Sequence, residues 1–307
     1  MKIVITATIE SVSQARNLLD VGVDILYLGE SKFGLRIKHS FTREEMREVV
    51  VLAHRAGARV VIAVNALMHT DEMKSIFEYL KFLEEIAADF VAVADAGVIY
   101  KLQKEQINLP YIYDSSIFVT NAEQVNFWAK RGSVGAVLAR ELPKSELYAM
   151  RRNFLIPTEI LVYGATVIQH SKRNLLDNYF QFLGVDEEKN LERGWFLTES
   201  QNSSSRYSIF EDDQGTHIFA NNDLNLLLEL ETLSSWGYRQ WKLEGLYTAG
   251  DDFVEIAKIF MEVKFMLEED RWDLARIALL NERIRQLHPK NRGLDTGFFS
   301  LNSEEIQ

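Results

Sequence analysis

Residues 42–64, TREEMREVVVLAHRAGARVVIAV, contain one complete repeating unit of the fold. The stretch opens with a capping box, in which the side chains of Thr42 and Glu45 can each bond the other residue's backbone amide. Apolar residues then follow at helical spacing until Gly57, which can end the helix in the left-handed conformation. The run Arg59–Val64 is apolar almost throughout, as is typical of a strand covered on both faces. The stretch therefore predicts a helix followed by a buried parallel strand.

The same succession of strand, loop and amphipathic helix recurs along most of the chain, with further capping boxes at Ser11 and Thr120. Eight such units favour a closed, eight-stranded β/α (TIM-like) barrel, with a doubly wound open sheet as the alternative. No glycine-rich phosphate-binding sequence follows the first strand, which argues against the open sheet. The predicted strands are Lys2–Thr8, Asp24–Leu28, Arg59–Val64, Phe90–Ala94, Tyr111–Asp114, Gly135–Ala139, Thr158–Val162 and Arg239–Leu243.

The repeat is interrupted after the seventh strand. Residues 164–222 contain no clear strand–helix unit, although Tyr207–Phe210 and Thr216–Phe219 predict a hairpin there. Helices are expected over Asp223–Ser235, Asp252–Glu268 and Trp272–Leu287. The predicted division is 1–163 for seven strands of the barrel, 164–222 for an insertion with the hairpin, 223–270 for the last strand–helix unit, and 271–307 for a C-terminal helix and tail.

Composition excludes several kinds of chemistry. The chain of 307 residues has no cysteine, which removes disulfides, thiolate nucleophiles and cysteine-ligated iron–sulfur clusters. The spacing of the histidines matches no common metal motif, so no metal site is expected. A net charge of −11 argues against broad binding of polyanions. Because neither a signal peptide nor a membrane-spanning run is present, we expect a soluble, cytoplasmic protein.

The site is expected at the carboxyl ends of the strands, where β/α barrels place their functional residues. Arg140 and Glu141 put two opposite charges at the exit of the sixth strand. Lys242 and Glu244 share one side of the last strand, and they are acid/base candidates if that side faces the lumen. Asp95 has an alternative role as a helix cap, and Lys242 has an alternative orientation towards a helix.

Several stretches together resemble peptidase family U32, the collagenase-like proteins. They occur in order over nearly the whole chain: Gly22–Glu30, Phe33–Arg36, Phe41–Glu45, Val64–Leu67, Val93–Val98, Val137–Leu142 and Lys242–Gly245. Ser171–Phe180 and Asn291–Phe299 resemble more narrowly a short member of the family found in bacilli. The family name implies proteolysis, whereas better-understood relatives act in prephenate-dependent 5-hydroxylation of the wobble uridine of tRNA. The resemblance thus implies tRNA as a partner, prephenate as a co-substrate, and a longer, cysteine-bearing family paralogue beside the short member.

The sequence departs from the family pattern around the seventh strand. Relatives carry two cysteines there as part of an iron–sulfur site, whereas this chain has Val167 and Asn174, and Tyr163 replaces a frequent histidine. We therefore expect no cofactor bound by this chain, and a cluster, if one takes part, would come from a partner.

Three functions remain open on the sequence. The first is a tRNA-modifying enzyme or its subunit, with arginines and lysines binding a dicarboxylate or phosphate. The second is a peptidase in which Glu141 and Glu244 activate water. The third is a non-catalytic barrel that supports a cluster-bearing paralogue. The candidate catalytic residues are Arg140, Glu141 and Glu244, and the candidate substrate-binding residues are Arg36, Asn65, Asp95, Ser115, Tyr163, His170, Lys172, Arg173, Asn178 and Lys242.

Overall fold

Strands and helices alternate along the first half of the chain. The computed structural model describes residues 2–114, 119–201 and 204–301. The strands are β1 (Val4–Thr8), β2 (Ile25–Gly29), β3 (Arg59–Val64), β4 (Phe90–Val93), β5 (Tyr111–Tyr113), β6 (Gly135–Val137), β7 (Thr158–Gly164), β8 (Val167–Ser171), β9 (Phe196–Leu197), β10 (Tyr207–Asp212), β11 (Gly215–Phe219), β12 (Asn222–Asn225), β13 (Gln240–Leu243) and β14 (Gly293–Asp295). The helices are α1 (Val12–Val21), α2 (Arg43–Arg55), α3 (Glu72–Glu85), α4 (Ala96–Lys104), α5 (Ala122–Ala129), α6 (Lys144–Met150), α7 (Leu175–Leu183), α8 (Leu230–Ser235), α9 (Gly250–Glu268) and α10 (Leu274–Leu287).

Eight parallel strands close into a barrel. Strands β1 to β7 pair in sequence order, and β13 lies between the two ends of that series. Gln240 pairs with Val4 on one side and with Glu159 on the other, both in parallel register. The predicted barrel is therefore confirmed, and the open-sheet alternative is wrong because both outer strands pair with β13.

Apolar side chains fill the inside and the outside of the barrel wall in separate clusters. Val4, Ile25, Tyr27 and Val61 belong to the inner cluster, and Ile37 from the loop after β2 packs against it. The larger cluster lies between the strands and the surrounding helices. Successive residues of a strand face opposite sides. A polar residue at an inward-facing position of a strand therefore lies in the lumen.

The sequence signals locate most helix starts. At Thr42 the predicted capping box is complete, with the side chain of each residue bonded to the other's backbone. The predicted cap at Thr120 is wrong by one residue, because Asn121 is the side chain that accepts from the amide of Gln124. Thr120 instead donates its own amide to the Gln124 side chain at 3.0 Å.

The segment that follows the insertion differs from its prediction. Instead of one helix over residues 223–235, the chain forms β12, a short 3-10 turn and α8. β7 continues to Gly164, two residues beyond its predicted end, and Leu224 pairs antiparallel with Gly164. β14, which lies in the predicted polar tail, pairs in turn with β12. Pairing with an available sheet edge has therefore overridden the local helical pattern.

The insertion carries its own antiparallel sheet, in the order β8-β11-β10-β9. The predicted hairpin is confirmed, with Ile209 opposite Ile218, and it extends to a tight turn at Asp212 and Gly215. Gln214, in that turn, donates to the carbonyls of Ser31 and Lys32, both at 2.9 Å. The tip of the hairpin thus lies against the loop that follows β2, at the mouth of the barrel. In the part of the chain that the structure describes, no helix is long and apolar enough to cross a bilayer.

Candidate functional site

A polar cluster occupies the lumen near the carboxyl ends of the barrel strands. It contains Thr6 from β1, Tyr27 from β2, Asn65 after β3, Asp114 after β5 and Lys242 from β13, and four of these five residues are at most 4% exposed. Burial of so many polar groups is costly unless they bond one another or a ligand. Since five strands contribute to the cluster, only the closed barrel brings these residues together.

Asn65, Tyr27 and Asp114 form a hydrogen-bonded group at the top of the lumen. The Asn65 amide donates to Asp114 Oδ2 at 2.9 Å and to the Tyr27 hydroxyl at 3.3 Å, while its oxygen accepts from the Leu35 amide at 2.9 Å. The Tyr27 hydroxyl lies 3.4 Å from the same Asp114 oxygen. Burial, and then the charge of Asp114, raise the pKa of Tyr27 well above its ordinary value, so this hydroxyl stays a proton donor.

Glu159 and Lys242 place opposite charges deeper in the lumen. Thr6 donates its hydroxyl to Glu159 Oε2 at 2.8 Å. Burial raises the pKa of Glu159, and the positive charge of Lys242 opposes that rise. The Lys242 ammonium lies 3.5 Å from the centre of the Tyr27 ring, in a cation–π contact that links this pair to the Asn65 group.

Two arginines approach each other at the mouth. Arg36 belongs to the loop after β2 and adopts a left-handed backbone with a φ of 55°. Burial, and then the charge of Arg140, lower the pKa of Arg36, and Asp114 opposes this effect. Arg140 donates to the carbonyl of Ala165 at 2.7 Å, which fixes its guanidinium on the side of β7. Two neighbouring guanidinium groups repel each other and are suited to binding an anion between them.

A shallow depression adjoins these groups. Its lining includes Thr8, Tyr27, Arg36, Lys38 and Glu244, so it carries acidic, basic and phenolic groups together.

A glycine at the end of β7 sets the position of Glu244. Gly164 has a φ of 113°, and a Cβ atom there would lie 2.1 Å from the Glu244 carbonyl oxygen. Any side chain at residue 164 would push away the strand that carries Glu244. Glycine at residue 164 therefore lets the end of β7 lie close to the backbone of Glu244.

The structure brings a central part of the predicted site together. Arg36, Asn65, Arg140, Lys242 and Glu244 surround the lumen and its mouth, and the inward orientation of Lys242 excludes its alternative orientation towards a helix. Their roles in binding or catalysis stay predictions.

Other predicted residues lie in different surroundings. Asp95 caps α4, because its Oδ1 accepts from the amides of Gly97 and Val98 and its Oδ2 from Met68, so the capping alternative describes it. Tyr163 lies between the barrel wall and α9, where its hydroxyl bonds the side chains of Thr248 and His288, both at 2.9 Å. Both placements are corrections: the partners named here already occupy the polar atoms expected to meet substrate.

The insertion supplies the remaining predicted residues. Lys172 bonds the Gln214 side chain at 2.8 Å and pairs with Glu72 of α3 at 3.2 Å, so it links the insertion to the barrel. Arg173 and Asn178 are exposed, and Glu141 is partly exposed in the turn after β6. Ser115 lies outside the described residues.

His170 lies on β8 beside the mouth. Its Nε2 bonds the Gln214 carbonyl at 2.9 Å, and its ring stacks on that of His217 with 4.8 Å between ring centres. Burial lowers its pKa, so this imidazole is neutral at physiological pH.

Four residues of the lumen are not among the residues predicted for the site: Thr6, Tyr27, Asp114 and Glu159. A signal for Glu159 was the two-residue alternation: it pairs with Gln240, which shares a face of β13 with Lys242, and a charge on the inner face of a barrel is unusual. The predicted site used strand exits and therefore overlooked residues one layer deeper.

An iron–sulfur cluster of the family type does not fit these residues. Val167 is buried among Ala165, Phe210 and Phe219, and Asn174 precedes α7. Neither side chain can ligate iron, and the chain has no cysteine to replace them. Over residues 2–114, 119–201 and 204–301, no three acidic or histidine side chains converge in a way that could hold a metal ion.

Comparison with known proteins gives consistent results. The profile of peptidase family U32 matches residues 10–307. The chain is 35% identical to tRNA hydroxylation protein P2 of Bacillus subtilis, over 92% of both chains. It is 24% identical to tRNA hydroxylation protein P of Escherichia coli, over 73% of this chain and 59% of that protein. A 23S rRNA 5-hydroxycytidine synthase of Escherichia coli is 25% identical over 86% of this chain, which spans 39% of that larger protein.

A solved structure with the same fold is among those similar to this chain. It is described as a U32 peptidase, has a TM-score of 0.50 at 14% identity, and covers 80% of this chain and 92% of its own.

Proposed function

The chain belongs to peptidase family U32, and on that premise we propose that it acts in the 5-hydroxylation of a tRNA uridine, as the enzyme or as one of its subunits. The observation that carries the proposal is the match to tRNA hydroxylation protein P2, which extends over 92% of both chains. Relatives named for the hydroxylation of RNA include proteins that act on tRNA and on rRNA. A common chemistry on pyrimidines accounts for all of these names.

The lumen offers suitable groups for such a reaction. Arg36 and Arg140 provide positive charge at the mouth, and Tyr27, Asp114 and Asn65 provide donors and acceptors inside. We propose that the arginines bind a carboxylate of prephenate, the co-substrate that the family resemblance implies, while the target base enters from the same side.

A partner is part of the proposal. Because Val167 and Asn174 stand where relatives have cysteines, redox chemistry at a cluster would have to come from a longer, cysteine-bearing relative. Affinity purification of this chain from its own cells is expected to recover that relative, and recovery of none would remove the partner from the proposal.

The deciding experiment is mass spectrometry of tRNA nucleosides from a deletion strain. We expect 5-hydroxyuridine derivatives to disappear and to return with the wild-type gene. Arg140→Ala should fail to restore them, whereas Arg283→Ala, which alters an exposed residue of α10, should restore them. Unchanged hydroxylation in the deletion strain would contradict the proposal. Normal rescue by Arg140→Ala would leave a supporting, non-catalytic role for the barrel.

A further inference from the structure

Lys242 is a buried lysine whose contact within the described residues is the Tyr27 ring rather than a carboxylate. Its residue is 3% exposed, and Lys264, on α9, is similarly buried at 4%. Lys264 donates to both oxygens of Asp24, at 2.8 and 2.6 Å. For Lys242, the described ranges 2–114, 119–201 and 204–301 provide neither a hydrogen bond nor a carboxylate within 4.0 Å of Nζ. An ammonium buried without a carboxylate is costly, so its place in the lumen indicates use by a ligand.

The surroundings of Lys242 include groups that can move protons. Gln240 pairs with Glu159, so Lys242 lies two residues further along the same inner face and close to the Glu159 carboxyl. That carboxyl accepts from the Thr6 hydroxyl, and the positive charge of Lys242 is the largest effect that lowers its pKa. A lysine next to a proton acceptor can be made neutral, and a neutral lysine is a nucleophile towards carbonyl groups.

The mouth supplies recognition for a carboxylate. Arg140 is close enough to Arg36 to lower the pKa of Arg36, and guanidinium groups bind carboxylates in two-pronged geometry. Tyr27 contacts Lys242 on one side and lines the depression beside Arg36 on the other. A ligand that binds both the arginines and Lys242 would need a carboxylate and a carbonyl group, and a 2-oxo acid carries both.

We propose that Lys242 forms a Schiff base with the carbonyl group of a 2-oxo acid, whose carboxylate binds Arg36 and Arg140. Glu159 takes a proton from the ammonium, and the Nζ lone pair then attacks the carbonyl carbon. The carbonyl oxygen leaves as water with two protons, one from Nζ and one returned by Glu159. A carbon–nitrogen double bond replaces the carbon–oxygen double bond, so no oxidant or reductant is required.

The test is reductive trapping on the purified full-length chain. Pyruvate, the smallest convenient 2-oxo acid, is added with sodium borohydride, and the digested protein is analysed by mass spectrometry. We expect the reduced adduct on the peptide that contains Lys242. Lys242→Arg should carry no adduct there, and Lys258→Arg, which alters an exposed lysine of α9, should still be trapped at residue 242.

Mapping on the wild-type chain decides the question even if Lys242→Arg does not fold. An absent adduct, or one spread equally over exposed lysines, overturns the Schiff base. The inference rests on the proposed function only for the class of co-substrate, and trapping needs neither tRNA nor a partner. Missing adducts with lost hydroxyuridine would remove only this inference, and trapping at Lys242 with normal hydroxyuridine would remove only the proposed function.

Discussion

Arg292 connects the C-terminal segment to the insertion through a buried ion pair. Its Nε and Nη2 donate to Asp223 Oδ1 at 2.9 and 2.6 Å, and Asp223 is 1% exposed. Nη1 also donates to Ser208 of β10, and Nη2 donates to the Ala220 carbonyl at 3.0 Å. The guanidinium therefore joins the C-terminal segment to β10 and to the stretch from Ala220 to Asp223.

We expect Arg292→Ala to lower the free energy of unfolding by about 3–5 kcal/mol, because Asp223 would remain buried without its partner. Urea denaturation followed by circular dichroism measures the change. The exposed Arg283→Ala is the control and should lie within about 0.5 kcal/mol of the wild type. A loss of less than about 1 kcal/mol for Arg292→Ala would show that the pair does not hold the segment.

Glu159 predicts a pH effect whose direction follows from its raised pKa. In the folded chain this carboxyl holds its proton at pH values above its ordinary pKa of 4.5. As the pH rises from 4.5 towards the raised pKa, the unfolded state loses this proton while the folded state keeps it. The folded state therefore loses stability relative to the unfolded state. Glu159→Gln keeps an acceptor for Thr6 but has no proton to lose.

The variant should therefore become progressively more stable than the wild type as the pH rises above about 4.5. Urea titrations of both proteins across this range give the difference in free energy of unfolding. A difference that is independent of pH, or one that falls as the pH rises, would mean that the folded carboxyl does not have a raised pKa.

At the level of elements, the start of α5 distinguishes two neighbouring residues. Asn121 accepts the amide of Gln124 at 2.9 Å, whereas the Thr120 side chain reaches only the Gln124 side chain, at 3.4 Å. Asn121→Ala should thus cost about 1 kcal/mol of stability, and Thr120→Ala should cost a few tenths. Thermal unfolding of the two variants compares them directly. An equal loss for both would mean that the box is shared between the two residues.

The elements that the sequence predicts well are those with strong local signals. Arg59–Val64 has the same bounds in prediction and structure, and the box at Thr42 is complete. β12 and β14 could not be predicted, because their residues do not alternate between apolar and polar as in a typical strand. β12 forms by pairing with the free edge of β7, and β14 by pairing with β12. The division of the chain at residues 163 and 222 stays a proposal.

The site was predictable as a location and less so as a set of residues. Asn65 and Glu244 directly follow the ends of β3 and β13, as the strand exits predicted, and their role in a site stays a prediction. Asp95 has the same sequence context, and only the structure shows that three amides occupy its carboxylate. To predict Tyr27 and Glu159, one must know which face of each strand is the inner one. That face depends on the register of the strands and on the closure of the barrel.

At the level of the whole molecule, the insertion and the barrel mouth are joined through Gln214. This residue is 2% exposed, and its amide group bonds Ser31, Lys32 and Lys172. Gln214→Ala should loosen the loop after β2, whose Phe33 amide bonds the Glu30 carbonyl at 3.0 Å.

Hydrogen exchange measures this coupling. We expect the amides of Phe33 and Gly34 to exchange about tenfold faster in Gln214→Ala, while the amides of β3 are unchanged, since a lost hydrogen bond costs about 1.4 kcal/mol. The exposed Gln286→Ala is the matched control and should exchange as the wild type does. Equal exchange in all three proteins would show that the insertion does not restrain the loop.

The place of β13 also has a consequence for biosynthesis. β1 and β7 each lack a neighbouring strand until β13 is synthesised. β13 emerges from the ribosome only after the insertion, β12 and α8. Until then the nascent chain carries two unpaired edges of parallel sheet, which are a known hazard for association between chains. Nascent chains that are stalled before Gln240 should therefore need chaperones more than chains that are released after Leu243.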